Sequence, residues 1–315
     1  MILILSRNEQ DNETDLVCRC LMYHEVAFRR VNVDDFLLRN VFVSQEFFVI
    51  DGEKFCFQDF DLVWIRRGFT SYNSRFSDKE YDSQSNSEIN LFNFQEWNLF
   101  MKFLFMQIPP ERMVNQARGY FADKIDQVLL AKEIGLPVPD SFYSNNASDL
   151  RQYESREIIS KPGGNLGYLR RKDKVVKSYT EIVNTETLPP NFQTAFFQEK
   201  LEAQHEIRTL YLNGELFNCG MIKAENSVQH VDIKNQKGLR CHPVNLPESF
   251  AEKIREFMQK IGFRIGFIDI LKTANGYQFI EMNPYGKFLF YSHACNFNFE
   301  HRIANFLINE VSQRR

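Results

Sequence analysis

The chain has 315 residues, of which 43% are hydrophobic and 25% charged, with a formal net charge of −3. That length holds two or three domains with cores of their own, and a charge so near neutral excludes the broad electropositive footprint of a nucleic-acid binder. The six cysteines (Cys18, Cys20, Cys56, Cys219, Cys241 and Cys295) form no C-x-x-C pair and no zinc-finger spacing with histidine, so reduced thiols in a cytoplasmic protein are expected.

Met1-Ile2-Leu3-Ile4-Leu5 is apolar but has no cationic lead and runs at once into Ser6-Arg7-Asn8-Glu9. It therefore predicts a first buried strand, neither a signal peptide nor a membrane span. Strand-like runs at 2–5, 27–33, 47–50 and 62–65, with a helical stretch over 16–23, predict an α/β unit around a small open sheet. Residues 71–87, rich in Ser, Asn and Asp, read as a loop. Ile89, Phe92, Trp97, Phe100, Met101, Leu104 and Phe105 then recur at helical spacing until Pro109-Pro110 stops them. Core or interdomain packing is the reading of these aromatics, with a protein interface as the alternative.

The spacing predicts a second helix over 118–134, with Phe121, Ile125, Val128 and Leu129 on its apolar side. Gly135 followed by Leu136-Pro137-Val138-Pro139 ends it. Strands follow near 157–160, 174–178 and 194–201, then a hairpin over 207–222 turned at Asn213-Gly214, a helix over 250–261, a second hairpin and a last helix from about Glu300. Linkers near Pro109 and Pro189-Pro190 divide this mixed α+β and α/β chain into three parts, 1–115, 116–193 and 194–315.

The second hairpin carries the chemistry. Its arms, Gly266-Phe267-Ile268-Asp269-Ile270-Leu271 and Phe279-Ile280-Glu281-Met282-Asn283-Pro284, are apolar except for two carboxylates and a carboxamide. Hard oxygen ligands of this kind suit Mg²⁺, which takes one or two carboxylates and leaves its other positions to water and phosphate. A two-residue Asn275-Gly276 turn would face Asp269 away from Glu281. A three-residue loop, Ala274-Asn275-Gly276 with a bulged left-handed glycine, would pair Thr273 with Tyr277 and Asp269 with Glu281, with Asn283 on the same face. The three-residue loop is the expectation. An ordinary hairpin with exposed acids is the competing reading, weakened because charges inside apolar strands seldom lack partners.

Lys161-Pro162-Gly163-Gly164-Asn165-Leu166-Gly167 follows a predicted strand. Glycines there let backbone N–H groups approach an anion and Lys161 places a charge on a phosphate, although a plain glycine-rich turn explains the run equally well. It is not a Walker loop. Arg170-Arg171-Lys172 with Lys174 and Lys177 reads as a solvated hairpin edge, or as a surface that attracts an acidic peptide.

In sequence order, Lys124, Gly135-Leu136-Pro137-Val138-Pro139, Lys161-Pro162-Gly163-Gly164, Gln198-Glu199-Lys200-Leu201, Glu206-Ile207-Arg208, Asp269-Ile270-Leu271 and Glu281-Met282-Asn283-Pro284 resemble the ATP-grasp ligases over roughly residues 115 to 300. The run from Ile89 to Trp97, with Asn283-Pro284-Tyr285-Gly286-Lys287-Phe288 and Cys295-Asn296-Phe297-Asn298-Phe299-Glu300, is similar to the grasp-with-spasm and graspetide (ω-ester-containing peptide) maturases. Ser160 departs from the resemblance, since an apolar residue is commoner ahead of the lysine.

The resemblance implies a three-part fold, with an N-terminal open α/β sheet, a central lid and a C-terminal antiparallel sheet. It implies that Lys124 and Lys161 hold nucleotide phosphates, that Glu199 and the backbone near Leu201 read adenine, and that Glu206 holds the ribose. Asp269, Glu281 and Asn283 become the Mg²⁺ ligands, and Arg208, Lys223 and Arg240 face the transferred phosphoryl group. ATP and Mg²⁺ are the implied cofactors. The implied activity is ATP-dependent joining of Asp or Glu side chains of a ribosomally made precursor peptide, with leader and core, to Ser or Thr hydroxyls or a Lys amine. A homodimer and a radical SAM/SPASM partner enzyme follow from the same resemblance; nucleic acid and membrane do not. The alternatives are a ligase that adds glutamate to a protein or peptide tail, and a nucleotide-binding scaffold without turnover.

Overall fold

The computed structural model describes residues 1–7, 11–66, 83–120, 122–153, 156–161, 169–171, 174–176, 180–222 and 240–314. The chain divides into two compact units, one built from residues 1–117, 287–289 and 298–315 and the other from residues 118–286 and 290–297.

In the first unit β1 (Ile2–Ser6), α1 (Asn12–Tyr23) and β2 (Phe28–Asn32) are followed by a single-turn helix α2 (Asp35–Leu38). Then come β3 (Val41–Val43), β4 (Phe47–Ile50), β5 (Glu53–Cys56), β6 (Leu62–Ile65) and a long helix α3 (Ser83–Met106). The parallel sheet runs β2-β1-β6, and all five residues of β1 are buried. This is the small open sheet foreseen from the sequence less its 47–50 run, which pairs elsewhere; β1 was legible because a strand buried on both faces reads as a continuous apolar run. Helix α1 packs against the last helix, Phe299–Ser312. Strands β3, β4 and β5 form a separate antiparallel sheet, with Phe48 stacked on Phe55 at 4.8 Å.

Two expectations change here. Helix α3 begins at Ser83, inside the stretch read as loop, and it is apolar on both sides. Trp97, Met101, Leu104 and Phe105 are buried while Phe92, Leu99, Phe103 and Met106 are exposed, so Phe92 does not share the buried face. Residues 71–82 lie outside the described residues.

In the second unit the expected helix over 118–134 is two helices, α4 (Ala117–Tyr120) and α5 (Lys124–Glu133). Asp123 makes the break: its carboxylate accepts from the Ile125 and Asp126 N–H groups, and Asp126 accepts from the Asp123 N–H. This reciprocal capping box starts a new helix three residues after the old one ends. Leu129 is exposed and Gln127 is buried in its stead. The stop at Gly135 is as expected, with φ +69°.

Next come β7 (Ser141–Asn146), α6 (Ala147–Leu150), β8 (Ile158–Ser160), β9 (Leu169–Arg171), β10 (Lys174–Val176), β11 (Glu181–Ile182) and β12 (Asn191–Glu199). Strands β7 and β11 were not foreseen, and the expected 193/194 junction falls inside β12. The sheet order is β11-β8-β12-β7, packed on Leu150, Ile158 and Phe197. Ser160, the odd residue of its strand, gives its hydroxyl to the Phe196 carbonyl at 3.2 Å.

The second sheet is antiparallel and holds β13 (His205–Leu212), β14 (Glu215–Ile222), β15 (Arg240–Pro243), β16 (Ile265–Thr273) and β17 (Gly276–Asn283), in the order β15-β14-β13-β16-β17. Asn213 (φ +48°) and Gly214 (φ +99°) make the expected two-residue turn. One face is covered by α7 (Glu248–Ile261), with Phe257 against Phe279 at 4.7 Å and Met258 over Gly266. A further helix, α8 (Leu289–Ala294), follows β17. Among the described residues no helix is long and apolar enough to cross a membrane.

Candidate active site

The expected three-residue loop is not what joins β16 to β17. Thr273 pairs with Gly276 across Ala274-Asn275, and the Thr273 hydroxyl accepts the Asn275 N–H at 3.2 Å and donates to the Gly276 carbonyl at 3.1 Å. Pairing runs from Thr273–Gly276 to Ile270–Phe279 and then shifts, so that Asp269 faces Glu281, Ile268 faces Met282 and Phe267 faces Asn283. The extra residue is Ile280. A bulge five residues from the turn thus does what was expected of the loop: without it Asp269 would face Ile280.

Directly paired residues share a face of a sheet. On β13, Arg208 pairs with Asp269 and Glu206 with Leu271, which puts Glu206, Arg208, Asp269 and Glu281 on the side opposite α7. The Arg208 guanidinium is bonded to the Asp269 carboxylate, with side chains 5% and 20% exposed. It also lies 5.5 Å from the Phe267 ring and 6.0 Å from Tyr291. Burial pulls against the charge on Arg208, but Asp269, with Tyr291 and Glu281, outweighs it and holds the guanidinium above its ordinary range. Next along the row, Lys124 Nζ stands 3.3 Å from Glu281 Oε2. The Asn283 carboxamide is oriented by the Tyr285 N–H, which donates to its oxygen at 2.9 Å.

The Asn283-Pro284-Tyr285-Gly286 turn returns over Arg208. A Cβ on Gly286 would collide with the Arg208 guanidinium and lie 2.7 Å from Phe267, so only glycine lets the backbone come this close.

The remaining expected residues are distributed as follows. Lys161 is buried directly after β8, and Glu199 ends the neighbouring β12, paired with Arg156 at 3.7 Å. Leu201 lies in the connection between the two sheets and Glu206 is the second residue of β13, the first strand of the second sheet. Arg240 pairs with Ile222 in the row of His205, one residue out of phase with Glu206 and Arg208. Lys223 and residues 162–168 of the glycine-rich run lie outside the described residues, as do Lys172 and Lys177. Among the described residues no group of three or more His, Cys, Asp or Glu is placed to hold a metal ion. The donor set here is two carboxylates and one carboxamide, which fits Mg²⁺ completed by phosphate and water and does not fit a fully protein-ligated transition metal.

Cys18, Cys20, Cys219 and Cys295 are buried as small hydrophobes, while Cys56 and Cys241 are half-buried. Burial lifts the Cys18 thiol from an ordinary 9.0 to about 11 and pushes Cys219, flanked by Cys241 and Cys295, higher still. An activated nucleophile needs the opposite shift.

Sequence reasoning missed Gln127. Its amide N–H donates to the Met282 carbonyl at 3.1 Å and its oxygen accepts the Met282 N–H at 2.7 Å. The signal was present: a glutamine stands three residues after Lys124 in line with Ala131, on the side of the helix that is buried.

No family model matches the chain and no curated protein matches its sequence. Solved structures do match. The macrocyclase MdnC of Microcystis aeruginosa MRC, bound with precursor peptide MdnA, superposes with a TM-score of 0.80 at 20% identity, over 98% of this chain and 99% of that one. The ATP-grasp ligase PsnB, complexed with a phosphomimetic variant of minimal precursor, Mg and ADP, gives 0.77 at 18% identity over 98% of each chain. A Chryseobacterium gregarium RiPP-associated ATP-grasp ligase, in complex with ADP and a leader and core peptide, gives 0.75 at 20% identity, over 100% of this chain and 97% of that one. At these identities the likeness is one of fold: the chain has the ATP-grasp fold, in the form found in RiPP-associated ATP-grasp ligases.

Proposed function

We propose that this protein is an ATP-dependent peptide maturase, which activates Asp or Glu side chains of a ribosomally made precursor peptide and joins them to Ser or Thr hydroxyls or a Lys amine of the same peptide. The observation that carries this reading is the continuous row Lys124–Glu281–Asp269–Arg208, its last three members on the face of the second sheet opposite α7 and Lys124 reaching it from α5. Each of these two carboxylates has a cation beside it, Lys124 at Glu281 and Arg208 at Asp269, so a bare Mg²⁺ would gain little attraction there, and phosphates that took over Lys124 would free Glu281 for the metal. The ligands of MdnC and PsnB, a precursor peptide in one case and Mg with ADP in the other, support both halves of the reading.

When bound, ATP with Mg²⁺ supplies the γ-phosphoryl electrophile that makes a peptide carboxylate an acyl phosphate. Asp269, Glu281 and Asn283 would hold the metal, and the ion pair with Arg208 aims the Asp269 carboxylate. Lys124 and Lys161 neutralise phosphate charge; Glu199, the backbone near Leu201 and Glu206 hold the nucleoside. The Arg208 Nε–H, buried and without an acceptor among the described residues, is a donor left over for charge that develops at the reacting phosphoryl group. Arg240, out of phase with this row, is left out of the assignment, and Lys223 stays in it on the resemblance alone. The acceptor hydroxyl or amine then attacks the acyl carbon, its proton leaves, and phosphate departs.

High-resolution mass spectrometry of a precursor peptide encoded beside this protein, after incubation with protein, ATP and Mg²⁺, tests the reading. Loss of one water per bond is expected. Gain of a glutamyl residue would replace it with tail addition, and an unchanged mass with nucleotide bound would leave a scaffold.

A further inference from the structure

Among the described residues strand β17 is an edge strand, paired with β16 alone, so its outward N–H and C=O groups need partners from elsewhere. The Phe279 N–H finds the Pro137 carbonyl at 2.7 Å. At Met282, the residue between Glu281 and Asn283, both outward groups are taken by the Gln127 side chain. A primary amide has the donor and acceptor of a peptide group, so Gln127 stands in for the missing neighbour strand at this one position.

Two further observations give this contact a role beyond closing an edge. It lies just past the Ile280 bulge, where the ladder changes register and the strand is least constrained by β16. Gln127 also sits on the same short helix as Lys124, whose ammonium reaches Glu281. We propose that Gln127 is a positioning residue that sets Glu281 and Asn283 against Lys124, and so governs the affinity of the site for Mg²⁺-nucleotide without touching either. This inference rests on the nucleotide-binding reading above.

The test is calorimetric titration of the full chain with ADP at increasing Mg²⁺, for wild type, Gln127→Met and Gln127→Glu, with thermal unfolding followed in parallel. Gln127→Met keeps the shape and loses both hydrogen bonds. Its dissociation constant for Mg²⁺-ADP is expected to rise on the order of tenfold, with half-saturation by Mg²⁺ moved upward, as when partners that orient metal ligands are removed. Gln127→Glu sets a carboxylate against the Met282 carbonyl near neutral pH, and on protonation it regains the lost donor. Its deficit relative to wild type therefore narrows between about pH 8 and about pH 5.5, because a buried carboxyl titrates above its ordinary range.

Lowered unfolding temperatures with wild-type affinity and Mg²⁺ dependence in both variants would overturn the inference and leave Gln127 a purely structural contact. So would a deficit in Gln127→Glu that does not change with pH. Wild-type protein that fails to bind Mg²⁺-ADP would overturn the nucleotide-binding reading itself, which the wild-type titration reveals before any variant is compared.

Discussion

Asp269→Asn is expected to cost stability as well as activity. Arg208 is 5% exposed and its guanidinium is bonded to Asp269. Neutralising Asp269 leaves a buried cation whose desolvation is no longer offset. Removing one partner of a buried ion pair costs about 3–5 kcal/mol, and the low end applies because Asp269 is one-fifth exposed and asparagine still accepts a hydrogen bond. At roughly 2–4 °C per kcal/mol for units of this size, the unfolding midpoint should fall by roughly 6–12 °C. The assay is thermal unfolding of wild type, Asp269→Asn, Arg208→Met and the double variant. Replacing both partners by neutral groups removes the stranded charge, so the double variant should recover much of the loss while nucleotide turnover stays abolished. An unchanged midpoint in Asp269→Asn, or single effects that simply add in the double variant, would refute the reasoning.

Lys124→Met should leave the unfolding midpoint nearly unchanged, because the pair with Glu281 is partly exposed and such pairs contribute up to about 1 kcal/mol. Nucleotide affinity measured by calorimetry should nevertheless fall at least tenfold, as expected for a lost charge-assisted phosphate contact of about 1.5–3 kcal/mol. Gly286→Ala should lower turnover and cost about 1–3 kcal/mol in denaturant unfolding, because the new methyl group meets the Arg208 guanidinium and Phe267. For Cys18 the folded-state value is raised to about 11 from 9.0, so its contribution to stability is complete below about pH 9 and is lost as pH rises toward 11. Unfolding midpoints of wild type should therefore decline over that window more steeply than those of Cys18→Val; parallel pH curves would contradict the burial argument.

The elements legible in the sequence are those whose signal is local. Asn213-Gly214 makes its turn because both residues adopt positive φ with little strain, and Gly135 ends α5 for the same reason. The apolar run of β1 and the carboxylates set into the second hairpin were equally plain, since neither composition suits an exposed strand. The helix break was written in the sequence as well: Asp123 with Asp126 three residues on is a capping box, outweighed in the reading by the apolar spacing on either side of it.

By itself the sequence determined which residues could carry the chemistry, since an oxygen-rich hairpin, lysines ahead of it and glutamates between them depend on residue type and order. Tertiary structure decided how they meet. The seating of Arg208 on Asp269, the grip of Gln127 on Met282 and the phase of Arg240 each depend on strands or helices well separated in the chain, and the position of the bulge at Ile280 depends on how β17 packs against β16. Strand register and edge closure are settled by the summed packing of both faces of a sheet, and no short window of sequence contains that sum.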